Sequence, residues 1–510
     1  MKVSALVLAT ALTVLGAWAA PAAATKPRAT AATAAPAAAP AVTAEALARD
    51  PRVVQALRLL EAWLDNEAAQ RRLPGASMAV VHDQQLLWSR GFGFAHIESR
   101  TPARPDTMYS ICSISKLFTG IAVMQQRDAG RLDLDDPVAK HLPWFSIQGA
   151  EPGAPPVTVR GILTHASGLP RESDVPYWTG PQNEFPTRER VVELVAGQQM
   201  LYRPEVFFQY SNLGLTLAGE IVSAVAGQPF DAYVRSRILG PLGLRDTETE
   251  HLDRHRGGRL ATGYTAPRRD GSRERVPPYE VRGIVPAAGF TSTVEDLGRF
   301  ASWQFRVLAG EGDAVLDADT LREMQRVQWM DGDWKTSRGL AFNVWRAGEQ
   351  TFVGHAGYCP GYQSDLLIQP SSRLAAVFMT NTNGVQSRAF VQTAWDIVAP
   401  AVRQALENPA GAKAHDPALE RYTGRYDSWT AGETWVIPWD DGLALVDLPA
   451  SQPQTERVRL RPVGEHRFRR IRDDGALGEE IRFELDAGGT PVRIWRHSNY
   501  RERPAAAHGG

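Results

Sequence analysis

Ser113 and Lys116 are the residues of this sequence whose types and spacing most clearly indicate chemistry, because residues three apart share one face of a helix. A serine hydroxyl is a weak nucleophile until a base removes its proton. A lysine amine can act as that base when burial favours its neutral form. The residues around the pair are mostly apolar and predict a buried helix, in which Lys116 would be desolvated. The pair therefore predicts nucleophilic catalysis by Ser113.

Two further short motifs, far away in the chain, could complete such a site. Tyr210 and Asn212 open an apolar helical stretch, where a phenol with a lowered pKa beside a lysine could relay a proton. The same motif also fits a simple helix cap. His355 and Gly357 lie in a strand-rich segment, where the glycine would let a substrate approach the backbone and the histidine would offer a titratable group.

The elements that must position these motifs follow from the hydrophobic periodicity. It predicts a first helical region from Ala44 to before Pro74, and further helices over residues 113–128, 187–196, 212–226, 293–308 and 389–406. Alternating apolar residues predict strands over residues 77–82 and 85–89, and again over residues 341–346, 350–354, 363–369 and 374–380. Strands at both ends of a helical middle indicate an α+β fold, in which an antiparallel sheet is flanked by helices.

The C-terminal residues show a different pattern. Six short strands are predicted between residues 434 and 496, separated by turns such as Asp440-Asp441-Gly442. Evenly spaced short strands over about 80 residues predict a small antiparallel β-barrel or β-sandwich, and of the two we expect the barrel. A linker containing Pro409 and Gly411 is expected to precede it.

The N-terminal residues have the composition of an export signal. Lys2 precedes an apolar stretch, and small residues before Ala24 suit a cleavage site. The predicted organisation is a signal peptide over residues 1–24, an Ala/Pro-rich flexible linker over 25–43, a catalytic domain over 44–407, a linker over 408–416 and a barrel domain over 417–503. We therefore expect a secreted or periplasmic protein with no membrane span in its mature form.

Composition and charge exclude several classes of function. Lys and Arg total 56 against 57 Asp and Glu, a formal net charge of −1. A near-neutral chain lacks the positive field that attracts nucleic acid, so we expect no nucleic-acid partner. No His-Glu-x-x-His motif or similar metal-binding pattern occurs, and we expect neither a metal nor a cofactor. The expected partner is a small-molecule or peptide substrate, while the oligomeric state stays open.

The order of the three motifs resembles that of the serine β-lactamase-like superfamily, in particular the branch of class C β-lactamases, DD-peptidases and esterases. Residues 163–169 and 289–297 are also similar to segments of that family. The resemblance covers residues 44–406, and the C-terminal strands look like the small lipocalin-like domain that some of these hydrolases carry. It implies a β-lactamase/transpeptidase-like domain followed by a small antiparallel β-barrel.

The resemblance implies a role for each motif. Ser113 would attack an acyl carbonyl and form an acyl-enzyme, while Lys116, paired with Tyr210, would take its proton and later pass one to the leaving group. Asn212 would bind the acyl side of the substrate. The backbone amides of Ser113 and of Tyr358, the residue after the third motif, would form the oxyanion hole.

His355 stands where true class C β-lactamases carry a lysine. A histidine that is largely neutral near pH 7 binds a carboxylate poorly, so this departure favours esters, or peptides without a strict carboxylate anchor, over antibiotics. The predicted function is an exported serine hydrolase acting on a small ester, an amide or a D-amino-acid-containing peptide. The alternative is a periplasmic penicillin-binding-like protein without turnover, whose C-terminal barrel recognises a cell-wall ligand or a partner.

Cys112 and Cys359 are the two cysteines of the chain, and each lies beside one of the motifs. In the fold that the resemblance implies, both would flank one cleft, and an exported protein could form a disulfide there. Two buried free thiols fit the sequence equally well, because flanking a cleft does not set the Cα separation of ~4–7 Å that a disulfide needs.

Overall fold

The computed structural model describes residues 43–251, 253–334 and 337–504. The predicted signal peptide, and all but the last residue of the predicted first linker, lie outside these residues. The described α-helices are α1 (Ala44–Ala48), α2 (Pro51–Gln70), α3 (Ser115–Asp128), α4 (Val138–His141), α5 (Val159–Thr164), α6 (Arg188–Val195), α7 (Asn212–Ala226), α8 (Phe230–Val234), α9 (Val285–Ala288), α10 (Val294–Leu308), α11 (Ala318–Gln325), α12 (Ser387–Glu407) and α13 (Pro453–Glu456).

The described strands fall into an N-terminal and a C-terminal group. The first group is β1 (Gly75–His82), β2 (Gln85–His96), β3 (Thr101–Pro102), β4 (Tyr109–Ser110), β5 (Thr291–Ser292), β6 (Trp329–Met330), β7 (Ser337–Arg338), β8 (Asn343–Ala347), β9 (Gln350–Cys359), β10 (Tyr362–Gln369) and β11 (Leu374–Thr380). The second is β12 (Gly424–Asp427), β13 (Glu433–Trp439), β14 (Gly442–Leu448), β15 (Val458–Gly464), β16 (Arg467–Ile471), β17 (Leu477–Leu485), β18 (Pro491–Arg496) and β19 (Asn499–Glu502).

One antiparallel sheet of nine described strands forms the centre of the N-terminal part. Its order is β3-β2-β1-β11-β10-β9-β8-β7-β6, so an early strand lies beside a late one. The ladder between them begins where Ala76 pairs with Thr380 and ends where His82 pairs with Leu374. The predicted α+β fold class, with an antiparallel sheet flanked by helices, is confirmed.

Both faces of this sheet are covered, and successive residues of a strand therefore enter different cores. In β11, Val377 and Met379 belong to the core that includes α3 and α7. Ala376 and Phe378, on the opposite face, belong to the core that includes α2 and α12. Because both faces are buried, β11 is an unbroken apolar run in the sequence.

Local signals set the ends of several helices. The hydroxyl of Ser211 accepts a hydrogen bond from the backbone N–H of Gly214, which caps α7, and the helix stops at Gly227 in the left-handed conformation. Both ends agree with the sequence prediction. The first helical region, in contrast, is two helices, because proline at position 51 removes a backbone donor and keeps Asp50 extended as the cap of α2.

The eight strands of the described C-terminal segment close into an antiparallel barrel in the order β12 to β19, which confirms the predicted barrel. The six predicted strands are present, and the sequence prediction missed β12 and β19, which have four residues each. Packed side chains fill the barrel core, namely Leu419, Tyr422, Tyr426, Val436, Leu443, Leu445, Leu460, Phe468, Ile481, Phe483 and Ile494.

The outer surface of the barrel packs against α2. The indole N–H of Trp63 donates to the carbonyl oxygen of Ala450 over 3.1 Å, and the amide of Asn66 donates to the Glu433 carboxylate over 2.8 Å. Val446 of the barrel joins the core shared by α2 and α12. The barrel is therefore attached to the helical layer on the sheet face opposite α3. Within the described residues, no helix combines the length and apolar character that crossing a membrane requires.

Candidate active site

Ser113 lies in a 3₁₀ turn, Cys112–Ile114, rather than in the first turn of an α-helix as the sequence suggested. The reason is the backbone of Cys112, whose φ of 51° is left-handed and cannot begin an α-helix. A disulfide joins Cys112 to Cys359 at the end of β9, with the two Cα atoms 5.8 Å apart. The alternative that the sequence left open is thus decided in favour of the disulfide, which ties the turn of Ser113 to the strand of the third motif.

Lys116, in the first turn of α3, is fully buried below Ser113. Its Nζ lies 3.0 Å from Oγ of Ser113. The amine also donates to Oδ1 of Asn212 over 2.8 Å and to the carbonyl oxygen of Ala287 over 2.7 Å. Burial lowers the pKa of Lys116 well below its ordinary value, an effect that the Glu172 carboxylate opposes.

The three oxygens around Nζ of Lys116 can accept the three N–H groups of an ammonium, and they also suit the neutral amine. A neutral amine has two N–H bonds and one lone pair, and the oxygens of Asn212 and Ala287 can only accept hydrogen bonds. When these oxygens take both N–H groups, the lone pair is left for the third neighbour, the hydroxyl of Ser113. In its neutral form, the amine can therefore take the proton of Ser113 directly.

Tyr210 lies over the same amine, with Nζ of Lys116 4.9 Å from the centre of its ring. Burial raises the pKa of Tyr210 to about 12, and a hydrogen bond with Ser113 offsets part of this rise. The lowered phenol pKa expected from the sequence is therefore wrong, because burial disfavours the phenolate. At neutral pH Tyr210 keeps its proton and is a donor. The ring of His165 packs against the ring of Tyr210, with the ring centres 4.3 Å apart, and its Nδ1 accepts a hydrogen bond from the backbone N–H of Ser211.

Asn212 is buried at the start of α7 and connects Lys116 to a carboxylate. Its Oδ1 faces the amine, and its Nδ2 donates to both carboxylate oxygens of Glu172, over 2.8 and 3.1 Å. Both ends of the amide are thus occupied within the protein. The expected contact of Asn212 with the acyl side of a substrate stays a prediction, and the structure adds a contact with the amine of Lys116.

The third motif lies on β9, which continues past its predicted end at residue 354 to Cys359. Gly357 passes so close to the chain leading into Ser113 that a Cβ there would lie 2.2 Å from the carbonyl oxygen of Ile111. His355 is buried, and its Nδ1 lies 2.6 Å from the carbonyl oxygen of Ala356. Burial and the nearby Lys116 lower the pKa of His355 well below its usual range, so it is neutral.

The disulfide lies between the two backbone amides expected to stabilise an oxyanion. Ser113 directly follows Cys112, and Tyr358 directly precedes Cys359. A covalent link next to both amides limits how far they can move apart. Preorganised donors of this kind stabilise a developing oxyanion without reorganisation.

These residues border a cleft of about 970 Å³. Six of the seven predicted site residues line it, namely Ser113, Tyr210, Asn212, His355, Gly357 and Tyr358. The seventh, Lys116, lies beneath Ser113, so the structure brings all seven together. Trp178 adds an aromatic surface to the cleft, and Arg171 and Arg338 add positive charge. Among the residues that the structure describes, no group of three or more His, Cys, Asp or Glu side chains is arranged to hold a metal ion.

Three contributors to the site were missed from the sequence. The carbonyl of Ala287 has no sequence signature, because every residue carries one. Glu172 lies just beyond residues 163–169, and its position after this family-like segment was the available signal. Arg338 belongs to the two-residue strand β7, too short to be predicted, and it brings a positive charge to the cleft that the neutral His355 also lines.

Comparisons with known proteins identify the family and the fold. A family model described as Beta-lactamase matches residues 60–399. Protein flp of Staphylococcus aureus (strain MW2) is 25% identical over 334 residues, which are 64% of this chain and 63% of that protein. The chain therefore spans less than two thirds of the length of this relative.

Two solved structures have the same fold. The octameric penicillin-binding protein homologue from Pyrococcus abyssi superposes with a TM-score of 0.61 at 23% identity, covering 87% of this chain and 99% of that one. The D-amino acid amidase from Ochrobactrum anthropi SV3, complexed with D-phenylalanine, gives a TM-score of 0.56 at 25% identity and covers 69% of this chain and 99% of its own.

Proposed function

This chain belongs to the beta-lactamase family of serine hydrolases, and from that premise we propose that it hydrolyses its substrate through an acyl-enzyme on Ser113. The observation that carries the proposal is the 3.0 Å separation between Nζ of Lys116 and Oγ of Ser113. Because burial lowers the pKa of Lys116, this amine gives up its proton more readily than an ordinary lysine and can serve as the base.

In the proposed acylation, Oγ of Ser113 bonds to the carbonyl carbon of the substrate while its proton moves to Nζ of Lys116. The amides of Ser113 and Tyr358 stabilise the negative charge that develops on the carbonyl oxygen. The bond to the leaving group then breaks, and the leaving group takes a proton from the phenol of Tyr210. The Lys116 ammonium restores that proton, and water later hydrolyses the acyl ester.

The proposed substrate is a small ester, an amide or a D-amino-acid-containing peptide. A cleft of about 970 Å³ suits a small molecule. An amide of an aromatic D-amino acid is the first candidate, since the amidase complexed with D-phenylalanine is 25% identical to this chain. The exposed ring of Tyr358 and the indole of Trp178 offer apolar contacts for such a side chain. We place this reaction outside the cytoplasm, on the strength of the N-terminal export pattern.

A penicillin-binding-like protein without turnover is the alternative. Packed side chains fill the barrel core, so in such a protein the outer surface of the barrel would have to recognise the cell-wall ligand or the partner. The two functions differ in the lifetime of the acyl-enzyme. An enzyme releases its acyl group, whereas a binder keeps it.

Intact-protein mass spectrometry tests the proposal. The protein is mixed with p-nitrophenyl acetate, D-phenylalanine amide or benzylpenicillin, and the mass is followed with time. We expect a transient increase in mass, with turnover of at least one of the first two compounds. Proteolytic digestion should place the adduct on the peptide that contains Ser113. The matched controls are Ser113→Ala, which should form no adduct, and Ser99→Ala, which changes an exposed serine outside the cleft. Hydrolysis by Ser113→Ala at the wild-type rate would refute the proposal, and a persistent adduct would favour the binder.

A further inference from the structure

Glu172 is a charged residue beside the catalytic network that the proposed reaction steps do not use. Its carboxylate accepts two hydrogen bonds from Nδ2 of Asn212 and one from the phenol of Tyr177. Nε of Arg171 lies 3.1 Å from it, and Gln198 donates to the backbone carbonyl of Glu172 over 2.8 Å. Side chain and backbone are thus both held in place.

We propose that Glu172 is a positioning residue for the general base, whose carboxylate orients Asn212 and thereby directs the lone pair of Lys116 at Ser113. The inference rests on the proposed function, because it assumes that Lys116 is the base. It assigns Glu172 a part in the reaction without contact with the substrate.

The two ends of the Asn212 amide differ in the hydrogen bonds that they can form. An amide has a donor end and an acceptor end of nearly the same size, and packing alone does not distinguish them. A carboxylate can only accept, so the end of Asn212 that faces Glu172 has to be the NH₂ group. The carbonyl oxygen then has to face Lys116, as it does at 2.8 Å.

The reversed amide would disable the base. Its NH₂ group would point at Nζ of Lys116 and donate to the lone pair of the neutral amine. That lone pair would then be engaged by Asn212 and withdrawn from Ser113. Excluding this arrangement requires an acceptor on the far side of Asn212, and Glu172 is that acceptor.

The position of this acceptor is itself fixed by its neighbours. Burial, together with the charge of Glu172, raises the pKa of Tyr177 above its usual range, so its phenol stays protonated and continues to donate to Glu172. The carboxylate is partly shielded, with 19% of its side chain exposed. Hydrogen bonds from Asn212, Tyr177 and Arg171 therefore fix its position from three sides.

The negative charge of Glu172 also affects the pKa of Lys116. The titratable and charged groups that face Lys116 from the elements packed around it are His165, Arg171, Glu172, Tyr210, Arg338 and His355. Burial lowers the pKa of both histidines well below the usual range and raises that of Tyr210, so these three are neutral. Of these six groups, Glu172 carries the negative charge, and it raises the pKa of Lys116 against the effects of burial and Arg171.

The first test is Glu172→Gln, which keeps the shape and removes both the charge and the strict acceptor. We expect kcat to fall about ten- to a hundredfold, because a misdirected base costs about this much, with little change in KM. Activity rises with pH as Lys116 loses its proton. Without the neighbouring anion the ammonium is less stable, so the acid limb of the kcat/KM profile should move down by about one pH unit.

Two further variants separate charge from position. Asp174→Asn is the control, since it removes an equal charge two residues away at an exposed position and should leave the profile unchanged. Glu172→Asp keeps the charge but shortens the side chain. It should lower kcat by about tenfold while the acid limb stays near that of the wild type.

The outcomes are distinguishable. A wild-type kcat and acid limb in Glu172→Gln, with Ser113→Ala inactive, would overturn this inference and leave the proposed function standing. An active Ser113→Ala would remove the proposed function itself. If Glu172→Gln does not fold, as judged by circular dichroism, a wild-type kcat in Glu172→Asp would still overturn the inference.

Discussion

The sheet domain and the C-terminal barrel use burial for different purposes. The sheet domain buries an amine, Lys116, and an imidazole, His355, whose pKa values burial lowers. The barrel core is apolar apart from two tyrosines, and charged pairs such as Arg467 with Glu480 lie on its surface. Burying an ionisable group opposes folding, whereas burying apolar surface favours it. The difference indicates that the sheet domain gives up stability for chemistry and that the barrel contributes stability.

From this difference we expect mutations in the two regions to affect different properties of the protein. Changes at the buried polar groups near Ser113 should alter the reaction rate far more than the free energy of unfolding. Changes in the barrel core should do the reverse, because the core lies on the far side of α2 from the cleft. The following variants test this division, beginning with the largest expected effect on activity.

Lys116→Met should produce the largest loss. Methionine is close to lysine in length and is accepted in apolar surroundings, but it cannot take a proton. We expect kcat/KM to fall by about 10²–10⁴-fold, the usual contribution of a general base. Steady-state kinetics measure the loss, and circular dichroism checks that the fold is kept. A loss of less than about tenfold would contradict the role of the amine.

The same variant should change how stability depends on pH. The pKa of Lys116 is lower in the folded protein than its ordinary value of 10.5, so between those two pKa values the unfolded chain binds one proton more. Wild-type stability should therefore rise with pH across this window. In Lys116→Met this contribution is absent, and its stability relative to the wild type should improve as the pH is lowered. Denaturant unfolding at several pH values measures the difference, and parallel profiles would contradict a lowered pKa.

Breaking the disulfide should have an intermediate effect on activity and a large one on stability. In Cys112→Ala/Cys359→Ala, the two expected oxyanion amides lose their covalent link, and we expect kcat to fall about tenfold. The disulfide closes a sequence separation of 247 residues, so its loss should also lower the free energy of unfolding by about 5 kcal/mol.

Thiol titration provides the control for that variant. The chain has two cysteines, so a reductant acts on this pair alone. The denatured wild-type protein should show no free thiol without reductant and two after reduction. Two free thiols before reduction would contradict the disulfide, and full activity after reduction would contradict its role beside the oxyanion amides.

Phe483→Ala should have the smallest effect on activity. Phe483 is buried in the barrel core, and removing its ring should cost about 3–5 kcal/mol of stability. At a temperature where the variant is still folded, we expect kcat to equal that of the wild type. Trp429→Ala, at a fully exposed barrel position, is the control and should change neither quantity. A large fall in kcat for folded Phe483→Ala would show that the barrel takes part in catalysis.

Features that depend on nearby residues could be predicted from the sequence. The ends of α7 follow from a capping serine and a terminal glycine, and the α+β class follows from the order of strand and helix patterns. Ser113 and Lys116 were found because their spacing within one helical turn is itself informative. The sequence did not predict strands β12 and β19, because a strand of four residues is too short to show a clear alternation of apolar and polar side chains.

Features that depend on contacts between distant segments could not be predicted. The pKa of Tyr210 was expected to fall beside a lysine. Burial instead raises this pKa, and how deeply the phenol is buried depends on the assembled fold. The contact between Asn212 and Glu172 joins residues 40 apart in sequence, and no local pattern indicates it. Predicting the disulfide likewise required the distance between the turn that contains Cys112 and the strand that contains Cys359, which the sequence does not provide.

The pH dependence of acylation tests the central claim, that a neutral Lys116 activates Ser113, most directly. The single-turnover rate of acylation by an activated ester is measured across pH for the wild type and for Lys116→Met. We predict that the wild-type rate rises with pH through an apparent pKa well below 10.5, and that this step is absent from the variant. The same step in both proteins would show that another group is the base.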